Sequence, residues 1–214
     1  MPNRACRSII INMTTLAIRA GFAIALLMGA TAYAQPAAQL GEESADAEQQ
    51  RNETAEERVE RLYAELAATT DPDEGERIAS QLQTEWAKSG SDSMDLLLDR
   101  ARDAMTKENF LAARVHLAAL TRLAPEFAEA WNASATLRYL QNDYARAAAE
   151  IERALALNPR HFSALTGLAL IFQQTGREES AMVAWREVER LYPSFERAKE
   201  AIERLAPEVD GRQL

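Results

Sequence analysis

The chain has 214 residues, 47% of them apolar, with 24 Lys and Arg against 33 Asp and Glu, a net charge of −9. That length and apolar share can bury a sizeable core, whereas the acidic balance argues against a nucleic-acid partner, because phosphate backbones demand concentrated basic side chains. Eight glycines scattered along the chain provide no phosphate-cradling loop.

Residues 1–34 contain Arg4, Arg7 and Arg19, no acidic residue, an apolar run from Gly21 to Met28 and the ending Ala32-Tyr33-Ala34. A basic start, a short apolar stretch and a small-x-small ending predict a secretory signal peptide cleaved after Ala34. The run is shorter than the ~20 apolar residues expected of a spanning helix. The expected location is the periplasm of a Gram-negative bacterium, with membrane contact only through an uncleaved signal. Met13 offers a second start that would make the signal more compact. The only cysteine, Cys6, leaves with this segment, so the mature chain has no disulfide, thiolate metal site or cysteine nucleophile.

Residues 35–52 are rich in Ala, Gln, Glu and Ser and have no apolar periodicity, which predicts a disordered acidic linker. Folding is expected from Thr54-Ala55-Glu56-Glu57, a capping box that precedes the stripe Val59, Leu62, Tyr63, Leu66. Asp71-Pro72 starts a second helix, as cap and first helical residue, with Ile78, Leu82 and Trp86 on its buried face. Residues 53–93 thus form a helical hairpin, read equally as a divergent repeat or as an unrelated cap.

From there a period governs the chain. Pro125, Pro159 and Pro193 recur at intervals of 34 residues, and in phase with them run Leu97/Trp131/Leu165, Ala101/Ala135/Ala169, Ala113/Ala147/Ala181, Leu117/Ile151/Trp185, Leu120/Ala154/Val188 and Leu123/Leu157/Leu191. Each unit holds two clusters of apolar residues at helical spacing. Between them stand Glu108-Asn109, Asn142-Asp143 and Gly176-Arg177, residues that stop one helix or cap the next. The prolines close the second helix, whose interior cannot hold the ring. Small side chains at the alanine columns let two helix backbones approach. Units of 94–127, 128–161 and 162–195 follow. The stripe Phe195, Ala198, Ile202, Leu205 then predicts a C-terminal capping helix over 196–207, stopped by Pro207, before a loose tail at 208–214.

Trp131, Asp143-Tyr144, Ala147, Ala154-Leu155 and Asn158-Pro159, with Gly167-Leu168-Ala169, Gly176 and Ala181 in the next unit, resemble the tetratricopeptide repeat family. The resemblance covers about residues 94–195 and implies an all-α, right-handed superhelical solenoid of antiparallel helix hairpins. It also implies a concave peptide groove lined by the first helix of each unit. Carried over by position, its candidate residues are Asp95, Leu98, Arg102, Met105, Glu129, Asn132, Thr136, Tyr139, Arg160, His161, Thr166, Leu170 and Gln173. The clamp that holds terminal carboxylates in one subgroup is incomplete, because Leu98, Ala133, Ser163 and Gly167 stand at its other positions.

No catalytic triad, metal-spaced cluster or cofactor motif is present, and the expectation is a protein without enzymatic activity, cofactor or metal. His116 reads as a partly exposed structural residue. His161 admits two readings, a carboxylate contact shared with Arg160 or a helix cap. The expected function is an adaptor whose groove binds a peptide of an exported or envelope protein. Alternatives are a structural subunit of an envelope complex and a subunit that binds a small molecule or glycan.

Overall fold

A computed structural model describes residues 53–210; the predicted signal peptide and linker lie outside the described residues, as does the end of the tail. Among these residues nine helices and no strands are found: α1 (Ala55–Ala68), α2 (Pro72–Trp86), α3 (Asp92–Thr106), α4 (Phe110–Leu123), α5 (Ala128–Leu140), α6 (Tyr144–Leu157), α7 (Phe162–Gln174), α8 (Glu178–Leu191) and α9 (Glu196–Asp210).

Local chemistry sets the boundaries. Thr54 and Glu57 exchange the two bonds of a capping box, Oγ1 accepting from the Glu57 N–H at 3.2 Å while the Thr54 N–H donates to the carboxylate at 2.9 Å. The Asp71 carboxylate accepts from the N–H groups of Asp73 and Glu74. Asn109 and Asp143 cap α4 and α6 in the same way, one 34-residue step apart. The residues just before them and before Arg177, namely Glu108, Asn142 and Gly176, all have positive φ, of 55°, 59° and 69°. A left-handed residue is therefore part of the repeat, although only the third unit uses glycine for it.

Helices α3–α4, α5–α6 and α7–α8 are antiparallel hairpins that stack in order, and α9 closes the last of them. Ala101, Ala135 and Ala169 are buried, as are Ala113, Ala147 and Ala181, where helices meet too closely for a larger side chain. The Trp131 indole donates to the carbonyl of Pro125 at 2.9 Å, tying the second unit to the proline that closes the first. In α9, Ala198, Ala201 and Leu205 join the core of the third unit. That helix does not stop at Pro207. It continues to Asp210 because the ring removes one bond near the helix end, while Val209 beyond it packs on the core.

The α1–α2 hairpin is not a fourth stacked unit. It packs onto the third repeat, sharing one core in which Leu62, Leu66, Ile78 and Leu82 meet Phe162, Trp185, Leu191 and Tyr192. Two columns record this placement. Ala130 and Leu137, like Ala164 and Ile171, are buried against the preceding hairpin, whereas the same register in the first unit carries Leu96 and Asp103, both exposed. At the other end, Leu123 is 57% exposed while its counterpart Leu191 is buried beneath the N-terminal hairpin. The close approach passes through Gly75, where a Cβ would lie 2.0 Å from Ser194 Oγ.

Candidate peptide groove

The first helices of the repeats, α3, α5 and α7, carry the groove positions, and a buried carboxylate organises them. Glu129, near the start of α5, accepts from Arg102 Nη2 at 2.5 Å, from Asn132 Nδ2 at 3.1 Å and from His161 Nε2 at 2.8 Å. Burial pushes its carboxyl pKa up, but the hydrogen bonds from His161 and Arg102 and the Arg102 charge prevail and hold it below the usual value. Each of the three elements α3, α5 and the turn before α7 thus contributes a donor to one acid.

His161 is fully buried and caps α7, its Nδ1 accepting from the Ala164 N–H at 3.3 Å. That bond requires Nδ1 to be unprotonated, so Nε2 carries the hydrogen and donates to Glu129. His161 therefore takes the cap role, and no nitrogen remains for a ligand carboxylate. Arg160 is likewise engaged. It pairs with both oxygens of Glu60 on α1, with Nη1 at 3.0 Å from Oε2, and its guanidinium lies 3.9 Å from the centre of the Tyr63 ring. The Tyr63 hydroxyl donates to Asn158 at 3.2 Å, and the Trp86 indole stacks on His161 with centroids 4.2 Å apart. The Arg160–His161 junction thus anchors the N-terminal hairpin instead of facing a groove ligand. Its partners are some 75 to 100 residues away in the chain, so no local pattern signals them.

Five of the remaining candidates converge. Asn132, Thr136 and Tyr139 on α5 and Thr166 and Leu170 on α7 line one cleft of about 170 Å³, floored by Ala135, Ile151, Gly167 and Ile171. Gly167 leaves this floor open, since a Cβ there would press on Ile151 Cδ1 at 3.2 Å. Asn132 is oriented by its bond to Glu129, and Tyr139 is braced by Tyr144 at 5.5 Å. Gln173 lies apart, in a neighbouring cleft between α7 and α9, where it accepts from the Trp185 indole at 3.2 Å. Arg102 lies outside both clefts, at Glu129.

Residues on α9 were not among the sequence candidates. Arg197, Glu200 and Arg204 line the α7–α9 cleft, and they lie one 34-residue step beyond Ser163, Thr166 and Leu170. The capping helix thus continues the groove columns, and extending the register past Pro193 would have found them.

The family model of the tetratricopeptide repeat matches residues 98–150 and 133–194. A TPR repeat-containing protein of Rhizobium etli is 33% identical over 167 residues, a stretch covering 77% of this chain and 82% of the relative. The chain belongs to the tetratricopeptide repeat (TPR) family. Among solved structures, MamA superposes with a TM-score of 0.52 at 24% identity, over 66% of this chain and 80% of MamA. The Arabidopsis OM64 TPR domain gives 0.51 at 16% identity, over 53% of this chain and 94% of that domain. These likenesses establish the all-α TPR solenoid and its stacking. A TPR domain points to a protein-interaction adaptor, since repeats of this family are typically non-catalytic interaction modules.

Proposed function

We propose that this TPR protein holds an extended peptide segment of another exported or envelope protein in the cleft between α5 and α7. The observation that carries the reading is the convergence of Asn132, Thr136, Tyr139, Thr166 and Leu170 on one cleft, with Asn132 already oriented by Glu129. Such a site combines an apolar socket for one side chain with amide and hydroxyl groups for a peptide backbone. Thr136 is exposed and bonds only within its own helix, to the Asn132 carbonyl, so Thr136→Trp would fill the cleft and spare the core. Peptides selected by the protein from a displayed random library should lose at least tenfold in affinity with this variant, at unchanged helicity. Equal binding by the variant would refute the groove as the site.

The exported location rests on the basic and apolar pattern of residues 1–34 and the ending at Ala34. N-terminal sequencing of protein from the envelope fraction should begin at Gln35, and intact precursor in the cytosol would exclude the assignment. A second reading, a structural subunit that assembles through its outer face, draws on Leu111 and Val115, exposed one helical turn apart on α4. A defined homo-oligomer in native mass measurement, lost on changing both residues to Ser, would favour it.

A further inference from the structure

α2 crosses the N-terminal ends of α7 and α9, and between them lies a cleft of about 580 Å³. One wall is aromatic. Phe162 meets Tyr192 edge-on with centroids 5.5 Å apart, and Tyr192 stacks with Phe195 at 5.1 Å and 15°. Phe162 and Tyr192 are buried, which leaves Phe195 as the half-exposed ring of the set.

On the α2 side stands Glu76, exposed and without a salt bridge or hydrogen bond among the described residues. Burial, and after it the Glu76 charge, keeps the Tyr192 phenol above its ordinary pKa, so this carboxylate acts on the aromatic wall. The other lining carboxylate, Glu196, is paired with Lys199 at 2.8 Å. The lining cation Arg197 also borders the α7–α9 cleft with Arg204. Ser163 and Thr166 line both this cleft and the one between α5 and α7, so the two adjoin.

We propose that the cleft between α2 and the Phe162–Tyr192–Phe195 wall is a second binding site, which takes an arginine side chain of the peptide seated between α5 and α7. A planar guanidinium stacks on an aromatic face, its aliphatic stem covers apolar wall, and its charge answers the unpaired Glu76. A leucine side chain would use the wall alone, and a glutamate would meet Glu76 with like charge. The site exists only because the N-terminal hairpin lies across the third repeat, so it belongs to this chain's own construction and not to the repeats.

The inference rests on the groove reading for the identity of the ligand, yet its test is separate. Isotope-labelled protein is titrated with N-acetyl-arginine methylamide, and with the leucine and glutamate analogues, while the resonances of Ala79, Tyr192 and Phe195 are followed by NMR. The arginine compound should shift them most, the leucine compound less and the glutamate compound least. Glu76→Gln, an exposed change outside the core, should weaken the arginine compound about threefold to fivefold, the scale of one exposed ion pair, and leave the leucine compound unchanged. Thr136→Trp should leave all three titrations as they are, so a failed groove and a failed second site give different results. No shift at these residues, equal response to leucine and arginine, or indifference to Glu76→Gln would each overturn the proposal.

Discussion

The Trp86 indole covers the His161 imidazole, centroid to centroid at 4.2 Å with 32° between the planes, and this contact joins the end of α2 to the cap of α7. Trp86 also meets Tyr63 and Phe162. Trp86 is partly buried against the core, so Trp86→Ala should lower stability by about 2 kcal/mol, somewhat less than truncation of a fully buried aromatic. Limited proteolysis should show the loss concentrated in residues 53–93. Uniform protection across the chain would mean that the hairpin is not held through this contact.

Gly75 sits inside α2, where alanine is ordinarily the better helix former. Here the added methyl would meet Ser194 Oγ at 2.0 Å and the Tyr192 ring at 2.8 Å. Gly75→Ala is expected to destabilise by about 1–3 kcal/mol, the range of overpacking, as read from urea unfolding. A gain in stability would show that α2 does not press on the Tyr192–Ser194 turn.

Glu108 holds φ at 55° where the third unit places Gly176 at 69°. A left-handed backbone costs an ordinary L residue roughly 1–2 kcal/mol, so Glu108→Gly should stabilise the protein by about 1 kcal/mol. Gly176→Ala should destabilise it by a similar amount, although no atom stands within 4 Å of the new Cβ. Thermal melts of the two variants should move in opposite directions.

Glu129 is buried among Arg102, Asn132 and His161, and its pKa lies below the ordinary 4.5. Because the folded value is the lower one, the stabilisation from its ionised form is complete above the unfolded pKa and is lost as pH falls through the folded pKa. Glu129→Gln should cost about 1.5–3 kcal/mol at neutral pH, the scale of hydrogen bonds to a charged group, because a neutral amide replaces the carboxylate and turns an NH2 donor toward the donors of Arg102, Asn132 and His161. The deficit should shrink below pH 4.5. A deficit constant with pH would show that this carboxylate is not held ionised by its partners.

Much of this arrangement was legible in the sequence. The 34-residue period placed the three hairpins, the alanine columns explained their close approach, and Thr54 and Asp71 marked helix starts by their own cap chemistry. The same stepping gathered Asn132, Thr136, Tyr139, Thr166 and Leu170 on one face, because residues at equal positions of stacked repeats point the same way. It also held a sign that no described helix stacks before α3, in the change from Ala130 and Leu137 to exposed Leu96 and Asp103. Arg160 read as a groove residue, and His161 as either a groove contact or a helix cap, for a physical reason. A polar pair at a repeat junction looks the same in sequence whether it meets a ligand or a distant part of its own chain.

Periodicity and capping are local or nearest-neighbour properties, so the sequence by itself determined the hairpins, their order and the faces of α5 and α7 that line the cleft. Only the tertiary structure decided where α1–α2 comes to rest. Its seat is assembled from Asn158–Phe162 and Leu191–Phe195, which are brought together by the stacking of α7, α8 and α9, and Gly75, Tyr63 and Trp86 fit that surface only once it exists.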